Sequence, residues 1–305
     1  MEGTVQATQA AIHIDGLTKR FGKLSAVTGL TLDVAHGEVV GFLGPNGAGK
    51  TTTIRMLMGF IRPAAGTSEV LGGSLAEDVQ LRRRVGYLPG DFRIDPAMTG
   101  EELFSWFGRL RGGVVRSRVR ELVTRLNLDP ARPFHALSKG NRQKVGLVQA
   151  FMSDPDVLIL DEPTTGLDPL MQREFLHLVS EAASRGAAIL FSSHVLPEVE
   201  RVANRVAIIR EGRLVACGPV QDLLARARHR LELRFAGPVP PNLFSNIQGV
   251  SEVEIRGDSA TIAVDGPLGP ALEAALGGPS LLTVRPVGDD LEDLFVSIYG
   301  VKEES

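Results

Sequence analysis

The sequence has few of the residues expected in a secreted or membrane-embedded protein. Cys217 is the single cysteine among 305 residues, which excludes an internal disulfide and any metal site built from several cysteines. No apolar run is long enough to cross a bilayer, and the opening MEGTVQATQAAIHIDG lacks the apolar core of a signal peptide. The net charge of −3 gives no support for a broad nucleic-acid surface. We therefore expect a cytoplasmic protein without a nucleic-acid partner.

Short apolar runs alternate with helical patterns, which indicates an α/β protein. The runs DVLILDEP and GAAILFSSH are continuous, as is typical of central strands in a parallel sheet that is covered on both faces. The segment RVAIIREGRLVACG predicts a hairpin with Glu211 and Gly212 at its turn. Together these patterns predict a first domain over residues 1–220.

Residues 91–152 are predicted to form a mostly helical subdomain inside that first domain. Thr99 and Glu102 have the spacing of a capping box, which predicts the start of a helix. Periodicity predicts one apolar face on this helix, made of Leu103, Trp106, Phe107 and Leu110. Phe104 lies off that face, so it is the best candidate for an exposed contact with a partner.

The pattern changes near Gly218–Leu224, and a second domain is predicted over residues 221–305. Its order of elements is β-α-β-β-α-β, with the first helix short and centred on Leu243. This order is that of a small α+β, ferredoxin-like fold. A last amphipathic helix, DLEDLFVSIYG, is predicted to follow it.

The segment GPNGAGKTT, residues 44–52, follows an apolar strand and opens a helix. This is the context in which a glycine-rich loop turns its backbone N–H groups around phosphates. Lys50 would reach the β- and γ-phosphates, and the Thr51 hydroxyl would bind Mg²⁺. A plain glycine turn before a helix is the alternative, and the strand before the loop makes it improbable.

Polar side chains also follow the two apolar runs that are predicted to be central strands. Asp161 ends VLILD, where its carboxylate would bind Mg²⁺, and Glu162 comes next, where it would orient and deprotonate the attacking water. His194 follows AILFSS, and the carboxyl ends of parallel strands are where ligands bind in such sheets. Taken alone, each could be a solvated surface residue.

The segment LSKGNRQK, residues 137–144, precedes a predicted helix over 141–152. A helix start with free N–H groups and a positive dipole end is a second anion site. Why one chain would need two phosphate sites is not answered by these residues alone.

In order and spacing, these motifs resemble the ATP-binding cassette family, over residues 12–218. GPNGAGKTT is similar to its Walker A motif, VLILDEP to its Walker B motif with the adjoining glutamate, and LSKGNRQK to its signature. TTGLDP, with Asp168, resembles the D-loop, and SSH resembles the switch histidine. The resemblance implies a P-loop ATPase cassette: a RecA-like parallel-sheet core, an antiparallel β-subdomain and a helical subdomain.

The resemblance also implies which residues do what. Lys50, Glu162 and His194 would be catalytic, and Thr51 and Asp161 would hold Mg²⁺. In this family two cassettes enclose two ATP molecules head to tail, so the signature of one subunit binds the ATP of the other. This implication explains the second phosphate site. The expected nucleotide-binding residues are Phe21, Gly44, Pro45, Asn46, Gly47, Ala48, Gly49, Lys50, Thr51, Thr52, Ser138, Gly140, Asn141 and Asp168.

Phe21 stands where the family stacks an aromatic ring on adenine; the alternative is a core residue of the β-subdomain.

Lys139 and the tail LEDLFVSIYG resemble those of the exporters of drugs and antibiotics within the family. The resemblance therefore implies an ATPase at the cytoplasmic face of the membrane, with a separate integral membrane permease as its partner. Phe104 would help to receive that permease.

Gly90 is a departure from the family, which has a glutamine at this position to contact Mg²⁺ and water. The absence of this glutamine implies loosened coupling to the permease, unless Gly90 has a positive φ that other residues do not tolerate.

Two other functions are alternatives: a cassette ATPase acting on ribosomes or DNA, and a non-catalytic regulatory cassette. The first would need a second cassette or a long coiled coil, and the second would be expected to lack Glu162 or His194.

Overall fold

The computed structural model describes residues 10–113, 116–224 and 228–287. The chain divides into two compact units that meet in sequence at Cys217 and Gly218. The predicted last helix, over 290–300, lies outside the described residues. Within those residues, no helix is both long and apolar enough to cross a membrane.

A six-stranded sheet forms the centre of the first unit, in the order β5-β6-β7-β3-β8-β9. Strands β3, β5, β6, β7 and β8 run parallel to one another, as the continuous apolar runs predict. The predicted hairpin is confirmed, since β9 follows β8 through a turn at Glu211 and Gly212, both with positive φ. The strands are β3 Val39–Leu43, β5 Val85–Leu88, β6 Val157–Asp161, β7 Ala188–Ser193, β8 Arg205–Arg210 and β9 Arg213–Pro219.

A three-stranded antiparallel sheet, in the order β2-β1-β4, is the β-subdomain. Its strands are β1 Ile12–Phe21, β2 Leu24–Val34 and β4 Ala65–Val70. The inward-facing residues of these strands join the apolar core of the parallel sheet. The helices of the first unit are α1 Lys50–Leu57, α2 Val79–Arg83, α3 Gly100–Leu110, α4 Arg116–Arg125, α5 Lys139–Phe151, α6 Pro169–Ser184 and α7 Leu196–Glu200.

Helix α3 begins with the predicted capping box of Thr99 and Glu102, which is confirmed. The prediction for Phe104 is wrong, because this side chain is 4% exposed, while Trp106 and Leu110 are 46% and 50% exposed. The reason is the rotation of α3 against α5: Leu103, Phe104 and Gly108 are the buried positions of the helix. A packing face centred on 103 and 104 leaves positions 106 and 110 on the outside.

The second unit begins with α8 Val220–Leu224 and contains a four-stranded antiparallel sheet, in the order β11-β12-β10-β13. This is the strand order of the predicted ferredoxin-like fold. The predicted helix around Leu243 is wrong, since residues 241–246 form turns; Pro240 and Pro241 limit the N–H donors available there. Phe244 is nevertheless buried in the core of the unit. Its remaining elements are β10 Arg228–Phe235, β11 Val250–Arg256, β12 Ser259–Asp265, α9 Gly269–Leu276 and β13 Leu281–Pro286.

Candidate nucleotide site

The glycine-rich loop joins β3 to α1, as the sequence predicts. Gly49 caps α1 with φ of 111°, a conformation that favours glycine, and it supplies no side-chain acceptor. The first N–H groups of α1 are therefore left for a ligand such as a phosphate. The predicted residues Gly44, Pro45, Asn46, Gly47, Ala48, Gly49, Lys50, Thr51 and Thr52 form this loop and the first turn of α1.

Lys50 lies inside the loop, with 6% of its side chain exposed. Its Nζ donates a hydrogen bond to the carbonyl of Gly44 at 2.5 Å and to that of Pro45 at 3.3 Å. The same nitrogen is 3.2 Å from Oε1 of Glu162. The loop lysine and the acid after β6 are thus brought together, as a shared site requires.

The hydroxyl of Ser192 connects the two acids at the end of β6. Ser192 faces Asp161 in the parallel register of β6 and β7, and its Oγ donates to Asp161 Oδ1 at 2.6 Å. The N–H of Glu162 donates to the same Oγ at 2.9 Å. Ser192 was not among the predicted residues. A serine at the end of a strand that is otherwise apolar was the available signal.

His194 lies against the carboxylate of Glu162, with Nδ1 at 2.8 Å from Oε2. Lys50, Glu162 and His194, the three residues expected to be catalytic, therefore form one connected group. Glu162 itself has φ of 49°, the left-handed region, which a residue with a side chain enters at a cost. The surroundings must hold it in this conformation.

Asp161 has the geometry expected of a ligand for a small cation. Asp161 is fully buried, and its Oδ2 has no hydrogen-bond partner, although buried carboxylate oxygens are normally paired. The negative charge also reaches Tyr87: burial, and to a lesser extent Asp161, raises the pKa of that phenol to about 12. No group of three or more His, Cys, Asp or Glu side chains among the described residues could hold a metal. A cation at Asp161 would therefore share its coordination with other oxygens, as Mg²⁺ does with phosphates.

Gly90 lies directly against Asp161. A Cβ at position 90 would be 3.1 Å from Oδ2 and 3.3 Å from Cγ of this aspartate. The φ of Gly90 is outside the left-handed region, so the alternative of a required positive φ is wrong. Space beside the carboxylate, and not backbone conformation, is what this glycine provides.

The signature residues lie at the start of α5. Ser138 caps the helix, and its Oγ accepts a hydrogen bond from the N–H of Asn141 at 3.3 Å. A Cβ on Gly140 would be 2.5 Å from the carbonyl oxygen of Gly166, so the signature turn packs closely on the D-loop. Asp168 in turn caps α6 through Leu170 and Met171. Within the described residues, no hydrogen bond joins Ser138 or Asn141 to the phosphate loop.

Phe21 ends β1 and is 50% exposed, with Lys19 Nζ at 5.3 Å from the ring centre. The alternative of a core residue is therefore wrong for this phenylalanine. An exposed ring next to a cation is available for stacking on a flat aromatic ligand.

Comparisons with known proteins identify the family. A family model described as ABC transporter matches residues 27–165. Nod factor export ATP-binding protein I of Paraburkholderia xenovorans (strain LB400) is 38% identical over 258 residues, which cover 82% of this chain and 85% of that protein. The chain belongs to the ABC transporter family. It is an ATP-binding cassette and an ATPase.

Other matches within the family agree with this assignment. Daunorubicin resistance ATP-binding protein DrrA3 of Streptomyces coeruleorubidus is 39% identical over 236 residues, 74% of this chain and 75% of that protein. A solved ATP-binding subunit of an ABC transporter has a TM-score of 0.65 at 30% identity, over 70% of this chain and 91% of that chain. The dimeric cassette MJ0796 bound to ADP and Pi has a TM-score of 0.62 at 20% identity, over 68% and 98%. This last likeness supports the fold alone.

Proposed function

We propose that the chain is the nucleotide-binding subunit of an exporter, and that it hydrolyses ATP to drive a separate membrane permease. The observation that carries this proposal is the connected group of Lys50, Glu162 and His194 beside Asp161. The group provides a cation for the phosphates, a carboxylate for the attacking water and an imidazole that holds this carboxylate.

Mg²⁺ fits the residues that would hold it. Asp161 Oδ2 has no hydrogen-bond partner in a buried position, and Thr51 is exposed in the first turn of α1. Carboxylate and hydroxyl oxygens together with phosphates are the ligands that this ion prefers. When bound, the ion would neutralise charge on the β- and γ-phosphates. Phe21 would stack on the adenine, and the loop at 44–52 would bind the phosphates through its N–H groups.

We further propose that two copies of the chain enclose two ATP molecules head to tail. Ser138, Gly140 and Asn141 lie at the N-terminus of α5, where an anion is favoured. Gly140 packs closely on Gly166 of the same subunit, and within the described residues no hydrogen bond joins Ser138 or Asn141 to the phosphate loop of their own subunit. They would therefore serve the nucleotide of the second copy. Asp168 would lie at the same contact, where it keeps α6 in place through its cap.

A mixing experiment tests this arrangement. Ser138→Arg and Lys50→Ala homodimers should both be inactive, since each has both composite sites broken. A mixture of the two variants contains heterodimers with one intact site, so hydrolysis should reappear on mixing. If the mixture stays as inactive as its components while crosslinking shows that heterodimers form, the head-to-tail arrangement is wrong.

The exposed apolar side chains of α3 are the surface that would receive the permease. Trp106 and Leu110 are about half exposed on the helical subdomain, and exposed apolar patches mark contacts with other proteins. They replace Phe104, which is buried. The proposed location is accordingly the cytoplasmic face of the membrane.

The cargo is proposed to be a drug, an antibiotic or another lipophilic compound. One relative is named for the export of Nod factor and another for resistance to daunorubicin, and these names support the proposal. For this reason an ATPase that acts on ribosomes or DNA is not favoured. Cargo contacts would lie in the permease.

Capture of the permease tests the proposed function. The chain and candidate membrane subunits would be expressed together, and ATP hydrolysis would be measured with and without candidate cargo. Trp106→Asp and Leu110→Asp should abolish co-purification of the membrane subunit but retain ATP binding. Leu276→Asp is the matched control, because Leu276 is an exposed leucine of the second unit. Capture of ribosomes, or unchanged capture by both α3 variants, would contradict the proposal.

A further inference from the structure

The side chain of Gln143 joins the signature helix to the turn that carries Glu162. Gln143 lies in the first turns of α5, three residues after Gly140 of the signature, and is 7% exposed. Its Nε2 donates to the carbonyl of Glu162 at 3.1 Å and to that of Pro163 at 2.9 Å. A buried amide with both donor contacts on one turn fixes that turn, because leaving the carbonyls unpaired in a buried place is costly.

Glu162 needs such support because of its backbone. Its φ of 49° is in the left-handed region, which is unfavourable for any residue that has a Cβ. Its N–H is held by Ser192 and its carboxylate lies between Lys50 and His194. The carbonyl accepts from Gln143. Among the described residues, Oε1 of the carboxylate has no hydrogen bond and is paired only through the charge of Lys50, so contacts from different segments of the chain fix the position of Glu162. Of these partners, Gln143 is the one that comes from α5.

We propose that Gln143 is a positioning residue, which keeps the Glu162 carboxylate aimed at the attacking water and couples its position to the signature helix. The inference rests on the proposed function, in which Glu162 acts on that water. It adds a path inside one subunit: α5 begins at the residues that would bind the nucleotide of the second copy, and Gln143 is the next turn of the same helix.

The path has a defined mechanical basis. Helix α5 is a rigid element, so a displacement of its N-terminus moves Gln143 with it. The two carbonyls that Gln143 holds are those of Glu162 and the residue after it, so this displacement rotates the peptide unit next to the carboxylate. Engagement of one nucleotide would therefore adjust the acid that hydrolyses the other. A small misplacement of such a group lowers the rate strongly.

Gln143→Met tests the proposal, since methionine has a similar length and no donor. We expect kcat of the full chain to fall about tenfold or more, with KM for ATP within about twofold. Gln149→Met is the matched control: Gln149 is a buried glutamine of the same helix whose amide contacts Tyr87 and Arg111. It should keep kcat near that of wild type. An equal fall of kcat in both variants, or a change in KM without a fall of kcat, would overturn the proposal.

Gln143→Glu provides a second test, should the methionine variant fold poorly. A carboxylate cannot donate to either carbonyl, whereas a protonated carboxyl has one O–H group that can donate to one of them. The ratio of its kcat to that of wild type should therefore rise as the pH is lowered, and a ratio that does not change with pH would overturn the proposal. Glu162→Gln distinguishes failure of this proposal from failure of the proposed function. Normal turnover in Glu162→Gln would remove the proposed role of Glu162. Low turnover in Glu162→Gln, together with normal turnover in both Gln143 variants, would remove only the positioning role of Gln143.

Discussion

Lys50 and Glu162 form an ion pair across the site, with Nζ at 3.2 Å from Oε1. The pair joins the loop after β3 to the turn after β6. The other carboxylate oxygen of Glu162 contacts His194 at 2.8 Å. A single carboxylate therefore lies between the cation that would bind phosphate and the imidazole that follows β7, and its loss should affect turnover more than binding.

Glu162→Gln is expected to keep ATP binding and to lose most hydrolysis. The amide cannot accept a proton from water, and positioned acid–base groups contribute about 10²–10⁴-fold to rates. Lys50 retains its contacts with the loop carbonyls. Equilibrium binding of ATP and steady-state turnover would be measured, with the exposed Glu77→Gln as control. The variant should accumulate as a dimer with ATP bound; turnover near that of wild type would remove Glu162 from this role.

Gly140→Ala is expected to impair the signature even without a charge change. Its Cβ would be 2.5 Å from the carbonyl oxygen of Gly166, and backbone cannot move aside as a flexible side chain can. Relief requires the start of α5 and the D-loop to separate, at a cost of about 1–3 kcal/mol. We expect a lower melting temperature and reduced hydrolysis. Gly237→Ala is the control, because open space surrounds that position; two indistinguishable variants would show that the contact does not constrain the site.

The sequence predicted the positions of the glycine-rich loop and of Asp161 in the fold, because phosphate chemistry restricts such residues locally; their roles stay predictions. A loop of nine consecutive residues and a strand ending in Asp161 are readable from order alone, since β3 and β6 are short apolar runs in a parallel sheet. The contacts of Ser192 and Gln143 with Glu162 were not predicted. They join residues that are 30 and 19 positions apart, and only the strand register and the packing of α5 bring them together.

Errors in the fold arose where local patterns left two solutions. On α3, apolar residues occur at 103, 104, 106, 107 and 110, so periodicity alone did not fix which side faces α5. In the structure the packing face of α3 includes Gly108, which has no side chain to indicate burial, and this face also buries Phe104. Near Leu243, apolar residues of the core suggested a helix, but turns bring Phe244 to the same core. The prediction of a helix is wrong there, although the segment contributes Phe244 to the core.

Arg125 on α4 is expected to fasten the helical subdomain to α6. It contacts Glu174 and Glu181 of α6 at 2.5 and 2.7 Å, and Glu121 of its own helix at 3.2 Å. Its hydrogen bond lowers the pKa of Glu181 below the ordinary value of 4.5. The lowered pKa means that the stabilisation is present above pH 4.5 and is lost as the pH falls through the folded-state pKa.

Arg125→Met should therefore lower the free energy of unfolding by about 1–2 kcal/mol at pH 7, a range limited by the partial exposure of Glu181. The difference from wild type should narrow as the pH falls below 4.5, because the carboxylates left behind become neutral. Denaturant titrations at pH 7 and pH 4 would measure this difference in the free energy of unfolding. Arg120→Met, an exposed change on the same helix, is the control. A difference independent of pH would assign the effect to packing and not to the ion pairs.

Gly90 provides the last prediction, which concerns the space beside Asp161. Alanine fits the backbone at this position, because φ is outside the left-handed region, but its Cβ would be 3.1 Å from Oδ2. The carboxylate must then move by a few tenths of an ångström, and Oδ2 is the oxygen that would bind Mg²⁺. We expect Gly90→Ala to fold and to bind ATP normally. The Mg²⁺ concentration for half-maximal hydrolysis should rise, and kcat should stay within about tenfold, or ~1.4 kcal/mol of barrier.

Gly90→Gln places the same Cβ against Asp161 and adds an amide, so the comparison of the two variants separates space from chemistry. If the amide assists the metal or the water, Gly90→Gln should hydrolyse ATP faster than Gly90→Ala and should respond more strongly to cargo in the presence of the permease. Gly218→Ala, with open space around the position, controls for the loss of a glycine. A lowered kcat in folded Gly90→Ala, with an unchanged Mg²⁺ concentration for half-maximal hydrolysis, would contradict the assignment of Gly90 to the metal side of the site. In that case the effect of Gly90 would have to act through the strand β5 that precedes it and not through the Asp161 carboxylate.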